Sequence, residues 1–133
     1  MDKLRNSDTL HMCYSREHIW MDVNDDIVRV GITGYLKKEL GDITFIELPD
    51  VDAVVHKDET LVVIESVKIA NDIYSPVSGR VLKCNKLVLD NPEYINTVAP
   101  ENVWLVELRL AKKDELRGFL DVQSYHQYLE KKE

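Results

Sequence analysis

Apolar and polar positions alternate over short stretches along most of the chain, and closely spaced turn residues separate the stretches. Ile19, Met21 and Val23 alternate, which predicts a half-buried strand with Trp20 on its other face. Asn24-Asp25-Asp26 is a turn cluster, and Ile27 to Val30 reads as the returning strand. Thr33 can cap a short helix whose Leu36 and Leu40 share a face, with Gly41 as its stop. Ile43 to Leu48 reads as the next strand, closed by Pro49. Val54-Val55, a polar turn at His56 to Glu59, and Leu61 to Ile64 form a strand-turn-strand unit.

A comparable unit follows. Ile73-Tyr74 leads into the turn Ser75-Pro76-Val77-Ser78-Gly79, and Arg80 to Lys83 continues as a strand. The two units flank Lys68 as a weak pseudo-repeat with its midpoint at Val67-Lys68. A positive φ is expected at Gly79 if this turn is tight. Leu61 to Ile64 is continuously apolar, as in a strand covered on both faces. Two small sheets packed as a flattened sandwich or barrel would cover it. Asn91 with Pro92 starts a helical turn, and Trp104 to Leu110 alternates as a final strand. Leu116, Phe119 and Leu120 form an apolar face. Asp121 can cap a last helix whose Val122, Tyr125 and Leu129 are spaced to dock on the body.

Composition narrows the function classes. The chain has 133 residues, of which 44% are hydrophobic and 31% charged, as in a globular domain with a modest core. Its formal net charge of −7 argues against nucleic acid and anionic membranes as partners. No apolar run reaches the ~18 residues of a membrane span. Residues 1–13 mix Asp2 and Asp8 with Lys3 and Arg5 and read as a loose tail, and 14–133 as a single domain with a helical C-terminal segment. Cys13 and Cys84 fit no metal or redox spacing and read as plain thiols of a reducing compartment. The four histidines are scattered, so no metal site is expected. Glycine-rich phosphate loops and nucleophile elbows do not occur either.

Lys68 is the candidate functional residue. It lies between two strand-like runs, with Glu65 three residues before it. That arrangement would hold one amine at the tip of a hairpin for covalent modification, with Glu65 as a charge for the modifying enzyme to read. A lysine is almost wholly ammonium at neutral pH, with an ordinary pKa of about 10.4. The attaching enzyme must therefore supply the activation, and the carrier's task is geometric.

Glu65-Ser66-Val67-Lys68, then Asp72, then Ser75-Pro76-Val77-Ser78-Gly79 resembles the H-protein family of the glycine cleavage system. Val30-Gly31-Ile32-Thr33, Leu40-Gly41-Asp42-Ile43, Phe45-Ile46-Glu47-Leu48-Pro49, Asn85, Pro92-Glu93, Ile95-Asn96 and Trp104-Leu105 match the family's other blocks. Tyr14, His18 and Trp20 match its N-terminal signature, so the resemblance covers about residues 14–131.

The resemblance implies a mainly β, lipoyl/biotinyl-type hybrid barrel-sandwich of two small sheets with peripheral short helices and a C-terminal helix. It implies a non-catalytic carrier with lipoate amide-linked to Lys68, attached by a lipoate ligase or lipoyl transferase. Glycine decarboxylase would load the arm with an aminomethyl group, the aminomethyltransferase would unload it, and dihydrolipoyl dehydrogenase would reoxidise it. A monomer in the bacterial cytoplasm is expected, with the mitochondrial matrix as the alternative. A tether delivers its cargo at up to mM local concentration.

One departure bears on cargo protection. The family has histidine-glutamate-tryptophan where this chain has His18-Ile19-Trp20. The family's glutamate helps hold the positively charged loaded arm, through a bond of a kind worth roughly 1.5–3 kcal/mol. Asp72 matches the family's second acid near the arm, and Glu17 and His18 are further candidates for contact with it. Gly34, Glu39, Ile69 and the 99–103 loop also depart from the pattern. The alternative function is a divergent H-like lipoyl protein that relays lipoyl groups to 2-oxo-acid dehydrogenases or serves another lipoyl-dependent system. Val67 and Ile69 argue against a biotin carrier, which has methionine on each side of its lysine. An unmodified β-sandwich interaction module is the remaining class.

Overall fold

The computed structural model describes residues 11–132, with the side chain of Lys132 left out of account. Strands β1 (Met12–Tyr14), β2 (Ile19–Asn24) and β3 (Ile27–Ile32) lead into helix α1 (Gly34–Leu40). Next come β4 (Ile43–Glu47), β5 (Val54–Val55), β6 (Thr60–Ser66), β7 (Ala70–Tyr74) and β8 (Gly79–Cys84). Helices α2 (Lys86–Asp90) and α3 (Tyr94–Thr97) precede β9 (Val106–Leu110), and α4 (Val122–Lys132) ends the described chain. Short 3-10 turns occupy Pro100–Asn102 and Lys113–Leu116.

One antiparallel sheet has the order β1-β2-β3-β9-β8-β5, and the other β4-β6-β7. Their inner faces enclose one core that includes Met21, Val28, Ile32, Ile46, Ile64, Val81 and Leu108. β2, β3 and β9 contribute alternate residues to that core, because successive side chains of a strand point to opposite faces, whereas irregularities in β4 and β6 break the alternation at Ile43–Ile46 and Leu61–Val62. Trp20 shows the outer face of the same strand at work. It is buried with Tyr14 and Tyr125 in a second cluster. The Tyr14 and Tyr125 rings stack with centroids 4.8 Å apart and planes 10° from parallel, which docks α4 on the outside of the larger sheet. Within α4, Val122 stays 44% exposed, so Tyr125, with Tyr128 and Leu129, makes the contact expected of all the apolar positions.

Several local expectations hold for the reasons that predicted them. Thr33 caps α1 by accepting the Leu36 N–H, and Gly41 closes the helix at φ 80°. Asp25 turns the β2–β3 hairpin at φ 58°, a left-handed conformation that aspartate tolerates better than most residues. Asp121 caps α4 by accepting the Ser124 N–H at 2.8 Å.

Other expectations are corrected. Strand β1 begins at Met12 and pairs with β2, so the last residues of the expected tail belong to the sheet. Residues 1–10 lie outside the described residues. The units Val54–Ile64 and Ile73–Lys83 are strand-turn-strand as expected, but the two strands of each do not pair with one another. β5 pairs with β8, whereas β6 pairs with β4 and β7. Each unit therefore crosses from one sheet to the other, and the pseudo-repeat is a pair of crossings about the lysine tip. Helix α2 was not expected, although Asn85 caps it by accepting the Leu87 N–H. Gly79 has no positive φ. It is required because a Cβ there would collide with the carbonyl oxygen of Arg109 on β9.

Candidate lipoyl-attachment site

Lys68 sits on the turn between β6 and β7. The last strand pair is Glu65 opposite Ala70, and the Ser66 N–H donates to the Ile69 carbonyl at 2.8 Å. Ser66 organises the turn. Its hydroxyl oxygen accepts the backbone N–H groups of Lys68 and Ile69, each at 3.2 Å, and the hydroxyl lies 3.2 Å from the Ile69 carbonyl. The Val67 N–H donates to the Asp42 carbonyl at 3.0 Å, which ties the tip to the segment after α1. The turn backbone is thus held by partners in hand, and the side chains point out. Val67 is 68% and Ile69 52% exposed, and Lys68 is exposed between them. Among the described residues, no hydrogen bond or ion pair holds the Lys68 Nζ. A rigid backbone presenting an accessible amine fits a covalently tethered group. Sequence reasoning quoted Ser66 without giving it a role; a serine that opens a tight turn is the signal that could have found it.

Glu65 is exposed on the last pair of the hairpin, and Thr44 donates its hydroxyl to the Glu65 carbonyl at 3.2 Å. Its carboxylate flanks the tip on the solvent side.

A cleft of about 540 Å3 opens further along β7. Glu17, at the turn between β1 and β2, and Asp72, on β7, both line it. Asp58 adds a third carboxylate from the turn between β5 and β6. Ile19, Leu36, Ile73, Pro76 and Phe119 supply an apolar floor and wall. Lys57 lines the same cleft, with its Nζ 5.2 Å from the Phe119 ring centroid and 3.4 Å from the Pro76 carbonyl oxygen. Its charge is already engaged by a ring face and a carbonyl.

Ile19 is only 3% exposed and belongs to the main core as well as to the cleft. A carboxylate there would sit close to buried apolar groups. His18 is not part of the cleft wall. It is buried beside the cleft, with Nδ1 2.8 Å from the Tyr125 hydroxyl and its ring 4.3 Å from that of Tyr35. The Tyr125 hydroxyl also lies 2.9 Å from Thr33 Oγ1, so this network joins α4 to the start of α1. Among the described residues, no group of three or more His, Cys, Asp or Glu side chains is placed to hold a metal ion.

Burial pushes the Cys13 thiol up to about 11 and also raises that of Cys84. Both are poor nucleophiles near neutral pH, because the thiolate is the reactive form.

Residues 12–132 match the profile of the glycine cleavage H-protein family. The chain belongs to that family. It is 42% identical over 123 residues to the glycine cleavage system H protein of Halothermothrix orenii, covering 92% of this chain and 96% of that one. It is 39% identical over 116 residues to the H protein of Staphylococcus saprophyticus, covering 87% and 92%. The crystal structure of an H protein from Mycobacterium marinum superposes with a TM-score of 0.80 at 28% identity, covering 90% of this chain and 97% of that one. The two sheets with short helices and a C-terminal helix are therefore the H-protein barrel-sandwich. As a family member, the chain is a non-catalytic lipoyl carrier of the glycine cleavage system. No described helix is long and apolar enough to cross a membrane.

Proposed function

We propose that Lys68 is the lipoyl attachment site, and that the chain carries glycine-derived cargo between the enzymes of the glycine cleavage system. The observation that carries this reading is the exposed Lys68 amine on a turn whose backbone is locked by Ser66 and Asp42. When bound, the lipoyl group supplies a disulfide that accepts the aminomethyl group from glycine decarboxylase and a dithiol that dihydrolipoyl dehydrogenase reoxidises. The chain's own residues do three things. The tip presents the amine to a lipoate ligase or lipoyl transferase, and Glu65 gives that enzyme a charge beside the target. The apolar floor of Ile19, Leu36 and Ile73 shields the end of the arm from water. Asp72 and Glu17 face the positive charge that the cargo brings until the aminomethyltransferase takes it.

Ile19 removes the family's usual carboxylate from the floor, so cargo retention falls to acids at the rim. Rim carboxylates act through water and are weaker than a buried partner. The setting we infer is the cytoplasm of a bacterium, with the carrier acting as a monomer.

Ile19 also favours a second reading, in which the arm serves lipoyl relay to 2-oxo-acid dehydrogenases. Intact mass tests the shared part: one lipoyl increment after incubation with a lipoate ligase, absent in Lys68→Ala. Decarboxylase-dependent exchange of labelled bicarbonate into glycine separates the two readings. Exchange with the lipoylated protein is expected, and its absence would leave the relay as the surviving function.

A further inference from the structure

Gly41 lies outside the cleft, at the opposite end of α1. Its φ of 80° and ψ of −155° belong to a region that glycine alone occupies without strain. A second constraint acts at the same atom. A Cβ on Gly41 would lie 3.2 Å from Cε of Lys68 and 3.8 Å from its Cδ and Nζ. The stem of the lysine therefore rests on the bare end of α1. One residue on, the Asp42 carbonyl accepts the Val67 N–H at 3.0 Å, so helix end and lysine tip are also joined through their backbones.

At its other end α1 contributes Leu36 to the cleft, and β7 contributes Asp72 and Ile73 to the same cleft. Helix α1 and strand β7 thus converge at two places, the lysine tip and the cleft. Along β7 the separation is on the order of 10 Å, at ~3.3 Å per strand residue. The surface between them is the short path from the Lys68 amine to the cleft, and Gly41 is where it begins.

We propose that Gly41 is a positioning residue for the arm: its missing side chain seats the Lys68 stem and starts the arm along α1 toward the cleft. This rests on the reading of Lys68 as the attachment site. A Cβ at position 41 would shift the stem by a few tenths of an ångström and a longer side chain would push it off the helix end, while the exposed amine would remain open to an attaching enzyme. Cargo retention and lipoylation are then affected separately.

Gly41→Ala and Gly41→Leu test this, because both carry the same backbone strain and differ in bulk. The expected result is lipoylation at the wild-type rate with faster non-enzymatic loss of ammonia from the loaded arm. The acceleration should reach about fivefold in Gly41→Leu, equivalent to about 1 kcal/mol, and be smaller in Gly41→Ala. Equal loss rates in wild type and Gly41→Leu would overturn the proposal. So would equal acceleration in both variants that follows a common drop in Tm. The wild-type protein supplies a measurement that needs no substitution. A proton NOE from Gly41 Hα to Lys68 Hε is expected in the unmodified protein, and its absence counts against the seat even if both variants fail to fold. A wild-type protein that accepts no load sinks the glycine-cleavage reading instead. Gly41 is then judged on the alkylation rate of the dihydrolipoyl thiols, with the same dependence on bulk.

Discussion

Glu115 holds Ser78 with both of its carboxylate oxygens. Oε1 accepts the Ser78 N–H at 2.7 Å and Oε2 accepts the Ser78 hydroxyl at 2.9 Å. The Ser78 oxygen in turn accepts the Lys57 N–H at 2.9 Å. The segment after β9 is thus fastened over the turn that joins β7 to β8, next to the cleft. Hydrogen bonds to a charged group contribute about 1.5–3 kcal/mol each way of counting, and an abandoned buried donor costs about as much. Glu115→Ala is expected to destabilise the fold by about 2 kcal/mol, read as a lower urea midpoint at unchanged slope.

Gly79 is a steric requirement. Any Cβ there would enter the space of the Arg109 carbonyl across the β8–β9 pair. Overpacking of this kind costs about 1–3 kcal/mol. Gly79→Ala should lower Tm, and the loss should be no smaller when the residue is replaced by asparagine, which tolerates positive φ. Rescue by asparagine would show that backbone conformation is the cause after all.

Glu65 is exposed, and its side chain accepts no described hydrogen bond. Its removal should leave the melting curve unchanged. If it is the charge read by the attaching enzyme, Glu65→Ala lowers kcat/KM for lipoylation about tenfold, equivalent to about 1.4 kcal/mol. A gel-shift time course measures it. Unchanged lipoylation would remove Glu65 from recognition.

Asp72 and Glu17 reach the cleft from separate elements and are exposed at its rim. In the proposed reading, their hold on a positive cargo is Coulombic and screened. Asp72→Asn with Glu17→Gln should speed ammonia loss from the loaded arm, and added salt should speed it in the wild type more than in the double variant. A salt-independent rate in the wild type would assign retention to the apolar floor alone.

Cys13 and Cys84 share the chain with a group whose chemistry is thiol–disulfide exchange. With its pKa near 11, Cys13 is thiolate to roughly one part in a thousand at pH 8. Its ionisation is disfavoured by burial, so the folded state keeps this contribution below pH 9 and loses it between the unfolded value of 9.0 and about 11. Iodoacetamide at pH 8 should therefore label the dihydrolipoyl arm and spare Cys13, with mass spectrometry giving the site. Labelling of Cys13 in the folded protein would contradict the burial.

Much of this was legible from residue types. Thr33, Gly41, Asp25 and Asp121 act locally, through caps and turns, and local chemistry is written in adjacent residues. Strand partners were not legible. The alternation around Val54 and Leu61 tells which side chains are buried, but not that β5 lies beside β8 while β6 lies in the other sheet. Helix α2 is not legible because Leu87-Val88-Leu89 is a consecutive apolar run inside five residues, too short to show a helical period, and only Val88 of the three is buried. Lys68 and Glu65 lie in one short motif, so sequence alone can propose them together. Asp72 and Glu17 are legible only through the family resemblance, and Asp58 is not legible at all, since the three carboxylates are brought together by three different turns and strands. His18, a candidate contact for the arm through the family's N-terminal signature, does not line the cleft, and its Nδ1 lies 2.8 Å from the Tyr125 hydroxyl.

The paired crossings on either side of the lysine tip set how the molecule moves. β5 and β8 lie side by side in the larger sheet, while β6 and β7, which carry the tip, form part of the smaller one. Peeling the hairpin away would require opening both sheets at once. The amides of Ile64 and Asn71, paired just below the tip, should then exchange with deuterium only through global unfolding. The exposed Lys68 side chain can swing on the nanosecond scale while the turn that carries it stays fixed for as long as the protein is folded. A group tethered there would move at its free end about a root whose position does not change.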